Sequence, residues 1–378
     1  MDDAARLRLA VTRACDGLVD REVLAEVVAL CAVAGEHVLV IGPPGTGKSQ
    51  VVRRIAGQLG GEYFEYLLGR FTEPSEVFGP VDLRRLREGV VEVETTGMLP
   101  EADVAFLDEV FLGSTAILNT LLGILNERSF RRGSTRVRVP LRVCVGASNS
   151  IPEETALAAF ADRFLARVFV DPVADSRLEE LLEAGWRGAR ADDDAAPADV
   201  AADEMLSVLD RLTRAADACD LSPVQPALAT AVRRLRAAGV ALTDRRAVRS
   251  QRLVAAAAVL DGRHVATTSD LWVLPLVAPT ADAQATAREA LADLVADGRN
   301  ATLVGAAEEL ARGRAARADR LASSGRGLLD DVGSEAATGD ARLRLEAVLR
   351  EIDSAFDAED MPEHLADVRG RLIGAVRA

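Results

Sequence analysis

Gly42-Pro43-Pro44-Gly45-Thr46-Gly47-Lys48-Ser49 follows the apolar run at residues 37–41 and precedes a helix-like stretch over 50–59. Glycine at 42, 45 and 47 lets backbone N–H groups turn inward on phosphate oxygens with no Cβ in the way. The helix opening at Lys48 adds its positive N-terminal dipole. In such a loop the lysine reaches the β- and γ-phosphates, and the serine hydroxyl, here Ser49, ligates Mg²⁺. The plain alternative is a surface Gly/Pro loop that happens to contain Gly-Lys-Ser. Strand before and helix after argue against it. All eight residues are therefore assigned to a nucleoside triphosphate.

Outward from the loop, residues 5–34 read as helix with a break near Gly17, Val23, Leu24, Val27, Val28, Leu30 and Cys31 following helical spacing. Five short apolar runs read as strands of a parallel sheet: Val38–Ile41, Tyr63–Leu67, 104–107, 143–147 and 168–170. Helices between them, such as 115–125, give the alternation of a three-layer α/β domain. Two excursions break the rhythm. Residues 80–100 suggest a short helix at 83–86 and a strand at 90–93. Residues 128–139 suggest a β-hairpin turning at Gly133. After Pro172 the texture becomes helices separated by loops: an acidic linker at 192–197, then helices near 200–219, 226–238, 245–260 and 281–296. In the charged, alanine-rich tail Leu345, Val348, Leu349, Ile352 and Phe356 form an amphipathic stripe that needs a partner face. Residues 323–327 and 333–339 read as turns.

The chemistry extends beyond the loop. The run Val104-Ala105-Phe106-Leu107 ends in Asp108-Glu109. Asp108 is assigned to the Mg²⁺ shell through water, and Glu109 to polarising the attacking water. The run 143–147 leads to Ser148-Asn149, which puts Asn149 beside the γ-phosphate; a turn-forming asparagine is the simpler reading. Arg163, in Phe160-Ala161-Asp162-Arg163-Phe164 on an expected helix, suits a guanidinium that enters a neighbouring subunit's nucleotide site, against an ordinary ion pair with Asp162 or Glu154. Thr243-Asp244-Arg245-Arg246 starts a helix with Thr243 or Asp244 as N-cap. Two cations there oppose the helix dipole and point to an anion, so an arginine at the base of this helix is assigned to the phosphates.

Composition narrows the function. A length of 378 residues holds two or three domains. The net charge of −14 argues against a sequence-independent nucleic-acid clamp. Of the local basic clusters, Arg84, Arg85 and Arg87, and Arg128, Arg131 and Arg132, most are expected to be solvated loop arginines. Cys15, Cys31, Cys144 and Cys219 are too dispersed for a disulfide framework or zinc site. An acidic N-terminus and the lack of an 18-residue apolar run leave a soluble, cytoplasmic protein as the expectation.

Longer stretches carry a resemblance. Phe64-Glu-Tyr66, Arg70-Phe-Thr-Glu-Pro-Ser-Glu-Val-Phe-Gly-Pro80, Gly97-Met-Leu-Pro-Glu101, Leu107-Asp-Glu-Val110, Ala116-Ile-Leu-Asn-Thr-Leu-Leu122, Leu125-Asn-Glu-Arg-Ser-Phe130, Gly146-Ala-Ser-Asn149, Asp162-Arg163 and Thr243-Asp-Arg-Arg246 together resemble the MoxR family of AAA+ ATPases, most of all its regulatory ATPase variant branch. The likeness spans roughly residues 5–280. It implies a P-loop AAA+ nucleotide-binding domain over 1–173, with a five-stranded parallel sheet and insertions at 80–100 and 128–139. An all-α lid over 174–280 and a helical segment over 281–378 follow. It further implies Asn149 as first sensor, Arg163 as arginine finger and Arg245 as second sensor with Arg246 as runner-up, with ATP and Mg²⁺ held between subunits of a homo-oligomeric ring, generally a hexamer. Many such proteins remodel or mature a protein client with a partner that carries a von Willebrand factor A domain. The tail lacks the alternating strands of that branch's adaptor-binding module. The Asp-x-Ser-x-Ser signature is absent, so a von Willebrand A partner is a separate chain. The leading expectation is an ATP hydrolase driving client remodelling; the alternative is an ATP-gated assembly scaffold with slow hydrolysis.

Overall fold

A computed structural model of the chain describes residues 2–152, 154–188, 202–334, 339–356 and 361–377. Seven strands occur among them: β1 Val38–Ile41, β2 Tyr63–Leu67, β3 Val104–Asp108, β4 Ser129–Arg132, β5 Thr135–Arg138, β6 Val143–Ser148 and β7 Ala166–Phe169. Five of these make one parallel sheet in the order β2-β3-β6-β1-β7, while β4 and β5 form a separate antiparallel hairpin. The central strands are apolar on both faces because helices cover both. Leu39, Ile41, Ala105, Leu107 and Cys144 face one cluster with Ile117, Leu121 and Ile124 of helix Thr115–Glu127. Helices Glu22–Ala34 and Lys48–Leu59 pack on the sheet as well. The first is buried nearly all round, from Leu24 to Ala34, as a helix apolar on every side must be. This is the α/β P-loop AAA+ architecture.

Sequence and structure differ in instructive places. The sheet's last strand starts at Ala166, not at 168. Arg167 interrupts the apolar pattern, yet it is buried and donates to Pro279 O on the outer edge of the sheet. The stretch 90–93 makes one bridge, Val81 to Val93, in place of a strand. The hairpin takes up its polar groups instead: Ser134 N–H donates to Val91 O at 2.9 Å, and Val93 N–H donates to Thr135 Oγ1 at 2.8 Å. The two insertions are thus stitched into one surface feature. Arg163 lies past the end of helix Thr155–Ala161, in the turn before β7. Arg128 is not a solvated arginine: it donates to Leu125 O and Gly35 O at 3.0 and 2.7 Å beside the buried His37.

By internal contacts the chain forms two compact units. One comprises Met1–Asp16, Arg21–Asp171 and Asp194–Ala311; the other comprises Gly17–Asp20, Pro172–Asp193 and Arg312–Ala378. In the second, the stripe Leu345, Val348, Ile352 and Phe356 finds its partner face in Leu365, Val368 and Leu372 of helix Glu363–Arg377, with Ala318, Leu321 and Ala322. Residues 323–327 are helical, not a turn. Gly325 is there for closeness, since a Cβ on it would stand 2.6 Å from Val368 Cγ1. The linker expected at 192–197 and most of the turn expected at 333–339 lie outside the described residues. Among the described residues no helix is long and apolar enough to cross a membrane.

A buried acid joins the first helices to the later ones. Glu26 Oε1 and Oε2 accept the N–H groups of Gly305 and Ala306, at 3.2 and 2.5 Å, in the first turn of helix Val304–Ser334. Those donors and the helix dipole favour the carboxylate, but desolvation outweighs them and raises the Glu26 pKa to about 7. A raised acid pKa means that the folded state holds the proton more tightly than the unfolded chain. The stabilisation is therefore full below about pH 4.5 and is lost as pH rises through about 7. Glu26→Gln should be less pH-sensitive. Relative to it, wild-type unfolding free energy should fall by up to about 3 kcal/mol between pH 4.5 and 8, measured by urea titration. Parallel pH profiles for the two proteins would contradict the assignment.

Candidate nucleotide site

Because the strands are parallel, every strand-to-loop exit of the sheet lies at one end. Gly42 follows β1, Glu109 follows β3 and Asn149 follows β6. Register fixes their neighbourhood: Ile41 pairs with Ser148 and Phe169, while Leu67 pairs with Asp108. Gly42 must be glycine for space, as a Cβ would stand 2.2 Å from Val170 O. Gly45 and Gly47 take φ of 80° and 75°, the left-handed region open to glycine, and so turn the loop's amides. Helix Lys48–Leu59 begins directly after Gly47.

Within this end the sequence-predicted groups meet. Asn149 Nδ2 donates to Glu109 Oε1 at 2.6 Å, and Glu109 N–H donates to Asp108 Oδ1 at 2.9 Å. Glu109 has φ 49°, a backbone state that non-glycine residues seldom adopt and that clusters at functional sites. Lys48 is the single lysine among 45 cationic side chains. Its ammonium donates to Gly42 O at 2.7 Å and Pro43 O at 2.9 Å. Burial pulls its pKa below the usual lysine range, with help from Arg21 and against the carboxylates of Asp108 and Glu109. Thr46 Oγ1 donates to Pro43 O at 3.0 Å and closes the loop on itself.

One participant escaped the sequence reading. Arg21, buried at the N-cap of helix Glu22–Ala34, donates Nε to Thr46 O at 2.7 Å and Nη2 to Asp171 O at 3.1 Å. It braces the loop against the chain leaving β7. The available signal was a cation at a helix N-terminus, the anomaly that drew attention to Arg245.

The arginines lie elsewhere. Arg163 precedes Ala166, which pairs with Val38 at the start of β1, so it stands at the opposite end of the sheet from Gly42. Its ion pair with Asp162 is long, 3.8 Å. Arg245 is exposed and donates to Asn126 Oδ1 at 2.5 Å. Its partner Asn126 lies at the end of helix Thr115–Glu127 remote from the exit of β3, which puts it with Arg163 and not with the loop; partial burial, then the nearby charges of Arg163 and Arg249, lower its pKa. Arg246 is 2% exposed, with Nε, Nη1 and Nη2 all donated to protein acceptors.

The residues at the loop suit ATP with Mg²⁺. Turned amides and one ammonium match phosphate oxygens. The Ser49 hydroxyl is a hard oxygen donor that would ligate such a cation, and the Asp108 carboxylate would hold it through water. Such a cation supplies charge neutralisation at the β- and γ-oxygens.

Two experiments follow. An amine-reactive ester should modify only Lys48 and the α-amine, and Mg-ATP at ten times its Kd should protect Lys48 about tenfold, read by peptide mass spectrometry. Unprotected labelling would remove Lys48 from the phosphate site. Arg21→Met should weaken Mg-ATP binding about tenfold, since a charge-assisted bond to the loop contributes roughly 1.5–3 kcal/mol. Unchanged calorimetric affinity would show the brace to be dispensable.

Comparison with known proteins agrees. Residues 5–210, more than half of the chain, match the family described as "MoxR domain in the MoxR-vWA-beta-propeller ternary systems". Two uncharacterized proteins of Methanocaldococcus jannaschii are each 36% identical over 250 residues, 65% of this chain and 64% and 63% of theirs. The chain thus spans slightly under two thirds of the length of these relatives. A structural protein of Acidianus two-tailed virus is 30% identical over 149 residues, 38% of this chain and 24% of the viral protein. The crystal structure of a putative ATPase from Cytophaga hutchinsonii superposes with a TM-score of 0.60 at 16% identity, covering 79% of this chain and 97% of that one, a likeness of fold. The chain belongs to the MoxR family of AAA+ proteins.

Proposed function

We propose that the chain hydrolyses ATP in a site shared between neighbouring copies of a ring, a hexamer by family likeness, and uses the cycle to remodel or mature a protein client. A separate chain with a von Willebrand A domain is the natural partner, since the matched family is described through such systems. The likeness to the regulatory ATPase variant branch rests on the motifs quoted above. The carrying observation is segregation: Lys48, Asp108, Glu109 and Asn149 gather at one end of the sheet, and Arg163 and Arg245 at the other. Arginines so placed cannot serve their own loop and are free to serve another copy's.

In this reading the loop and Lys48 hold the phosphates, and Ser49 and Asp108 hold the cation. Glu109 takes the proton from the attacking water. Asn149, which holds Glu109 Oε1, orients the base and donates its amide beside the γ-phosphate. Arg163 from the neighbour neutralises charge developing on the transferred group, with Arg245 beside it as second sensor. Four of the five N–H donors of Arg246 are already given to Asp162 and to the carbonyls of Phe164, Leu165 and Val277. The helices within 174–280 act as the lid. Around Arg131, Arg136 and Arg138 of the hairpin a surface cleft of about 510 Å³ gives the insertions a basic face for a client.

A second reading, an ATP-gated assembly scaffold with slow turnover, draws support from the similarity to a viral structural protein. Turnover that rises with client favours remodelling; client-indifferent turnover with ATP-dependent assembly favours the scaffold.

Glu109→Gln should keep Mg-ATP binding and lose at least about 100-fold in kcat. Arg163→Ala should lose at least as much. Mixing the two inactive proteins should restore part of the activity, because an intact finger then meets an intact base. A Glu109→Gln protein with wild-type turnover refutes the base. Mixed rings shown to form but without activity refute a finger acting between subunits.

A further inference from the structure

Three consecutive carbonyls follow the end of helix Thr155–Ala161, and two arginines of one other helix take all of them. The helix closes with Arg163 N–H on Phe160 O at 3.0 Å and Phe164 N–H on Ala161 O at 3.2 Å. The next carbonyls point out of the turn. Arg163 O accepts Arg249 Nη2 at 3.2 Å, Phe164 O accepts Arg246 Nη1 at 3.1 Å, and Leu165 O accepts Arg246 Nη2 at 2.6 Å. Arg246 Nη1 also meets Asp162 Oδ1 at 3.2 Å, and its Nε donates to Val277 O at 2.9 Å. Both arginines come from helix Asp244–Leu260, three residues apart and so on one face.

Arg249 is itself anchored. Its Nε and Nη2 donate to the two carboxylate oxygens of Glu36, a fully buried residue that Arg252 also approaches at 3.6 Å. A guanidinium forked between a buried carboxylate and a backbone carbonyl has little freedom. The side chain of Arg163 is the reverse. It is about a quarter exposed, its Nε has no partner among the described residues, and its one ion pair is the 3.8 Å contact with Asp162, which Arg246 already satisfies. The backbone is fixed and the guanidinium loose, the combination a residue needs when it must arrive at a set place and grip a group of another molecule.

We propose that Arg246 and Arg249, the latter through Glu36, are positioning residues for Arg163. They hold the 162–165 turn so that its guanidinium reaches the neighbouring copy's nucleotide, and they make that reach follow the movement of helix Asp244–Leu260. The proposal rests on Arg163 being the finger. The competing explanation is that the two arginines only satisfy carbonyls left open at a helix end.

A double-mutant cycle on the full chain separates the two explanations: wild type, Arg163→Ala, Arg249→Met and the double variant, with melting temperature and ring mass measured for each. Arg249→Met should lower kcat about 10- to 100-fold, with KM for ATP within about twofold. In the Arg163→Ala background it should cost nothing further, since its effect passes through a side chain already removed. Mixing Arg249→Met with Glu109→Gln subunits should restore activity, because the second supplies an intact turn and finger.

An equal further loss in the double variant, an unchanged kcat in the single one, or mixed rings without recovery would overturn the proposal. Should Arg249→Met fail to fold by leaving Glu36 charged and short of a partner, the paired change Glu36→Gln with Arg249→Gln removes both charges and carries the same readouts. The two levels of failure are distinguishable. If Arg163→Ala alone keeps wild-type turnover, the finger reading falls. If Arg163→Ala loses most but not all of its turnover and Arg249→Met costs a further equal factor in it, only the positioning role falls.

Discussion

Parallel pairing of β1 with β6 on one side and β7 on the other is the constraint on which the rest depends. Val38 lies against Val145 and Ala166, and Ile41 against Ser148 and Phe169, so three chain segments run side by side in one direction and end together. Every loop that leaves a strand therefore gathers at one end, and every segment that enters one gathers at the other. Gly42 stands one residue beyond the paired block and Arg163 three residues before it. At about 3.3 Å per residue, the stretch from Val38 to Gly42 alone separates them by some 13 Å. No side chain spans that interval. A triphosphate at the loop and a guanidinium at the opposite end become parts of one site only if a second copy is present.

How much of this was legible depended on whether the determining interaction was local. The loop was readable because its glycines, its strand and its helix are contiguous. Tyr63–Leu67 was readable to the residue because its strand-favouring aromatics stand between Gly61 and Gly69, which mark its limits locally. β7 was misjudged at its start because Arg167 looks like an end of burial, and only Pro279, more than a hundred residues later, explains why it can stay inside. Gly325 reads as a turn until Val368 is beside it. Arg128 reads as solvated until the carbonyls of Gly35 and Leu125 converge on it. Asn149 and Glu109 were each visible at a strand end, but their contact is a property of strand order, which a linear pattern does not contain.

The distribution of cation types adds a second regularity. Arginine does nearly all the cationic work in this chain, and much of it is backbone capture. Arg21 bridges two carbonyls, Arg128 two, and Arg246 three in addition to Asp162. A planar fork suits that task because it can serve several fixed acceptors at once and stays charged when buried. Lysine offers a compact point charge on a flexible stem, and the chain's one example sits in the phosphate loop. In the role proposed for it the ammonium would exchange the carbonyls of Gly42 and Pro43 for phosphate oxygens, a change of partners that a forked, multiply bonded guanidinium would resist.

The same economy bears on β7. Its exit is tied to the loop, because Val170 O fills the space a Gly42 side chain would need and Arg21 joins Asp171 O to Thr46 O. Its entrance is tied to helix Asp244–Leu260 through Arg246 and Arg249. Between the two lie the four residues Ala166–Phe169, hydrogen-bonded along one side to β1. A strand that short, fixed at both ends and paired throughout, has no internal joint with which to absorb displacement. A shift of the loop on changing its occupant must therefore be taken up at Arg21, or be carried along the strand to the turn that bears Arg163. In a ring where that turn faces the next nucleotide, the second course would make each site sensitive to its neighbour, with the strand as the connection.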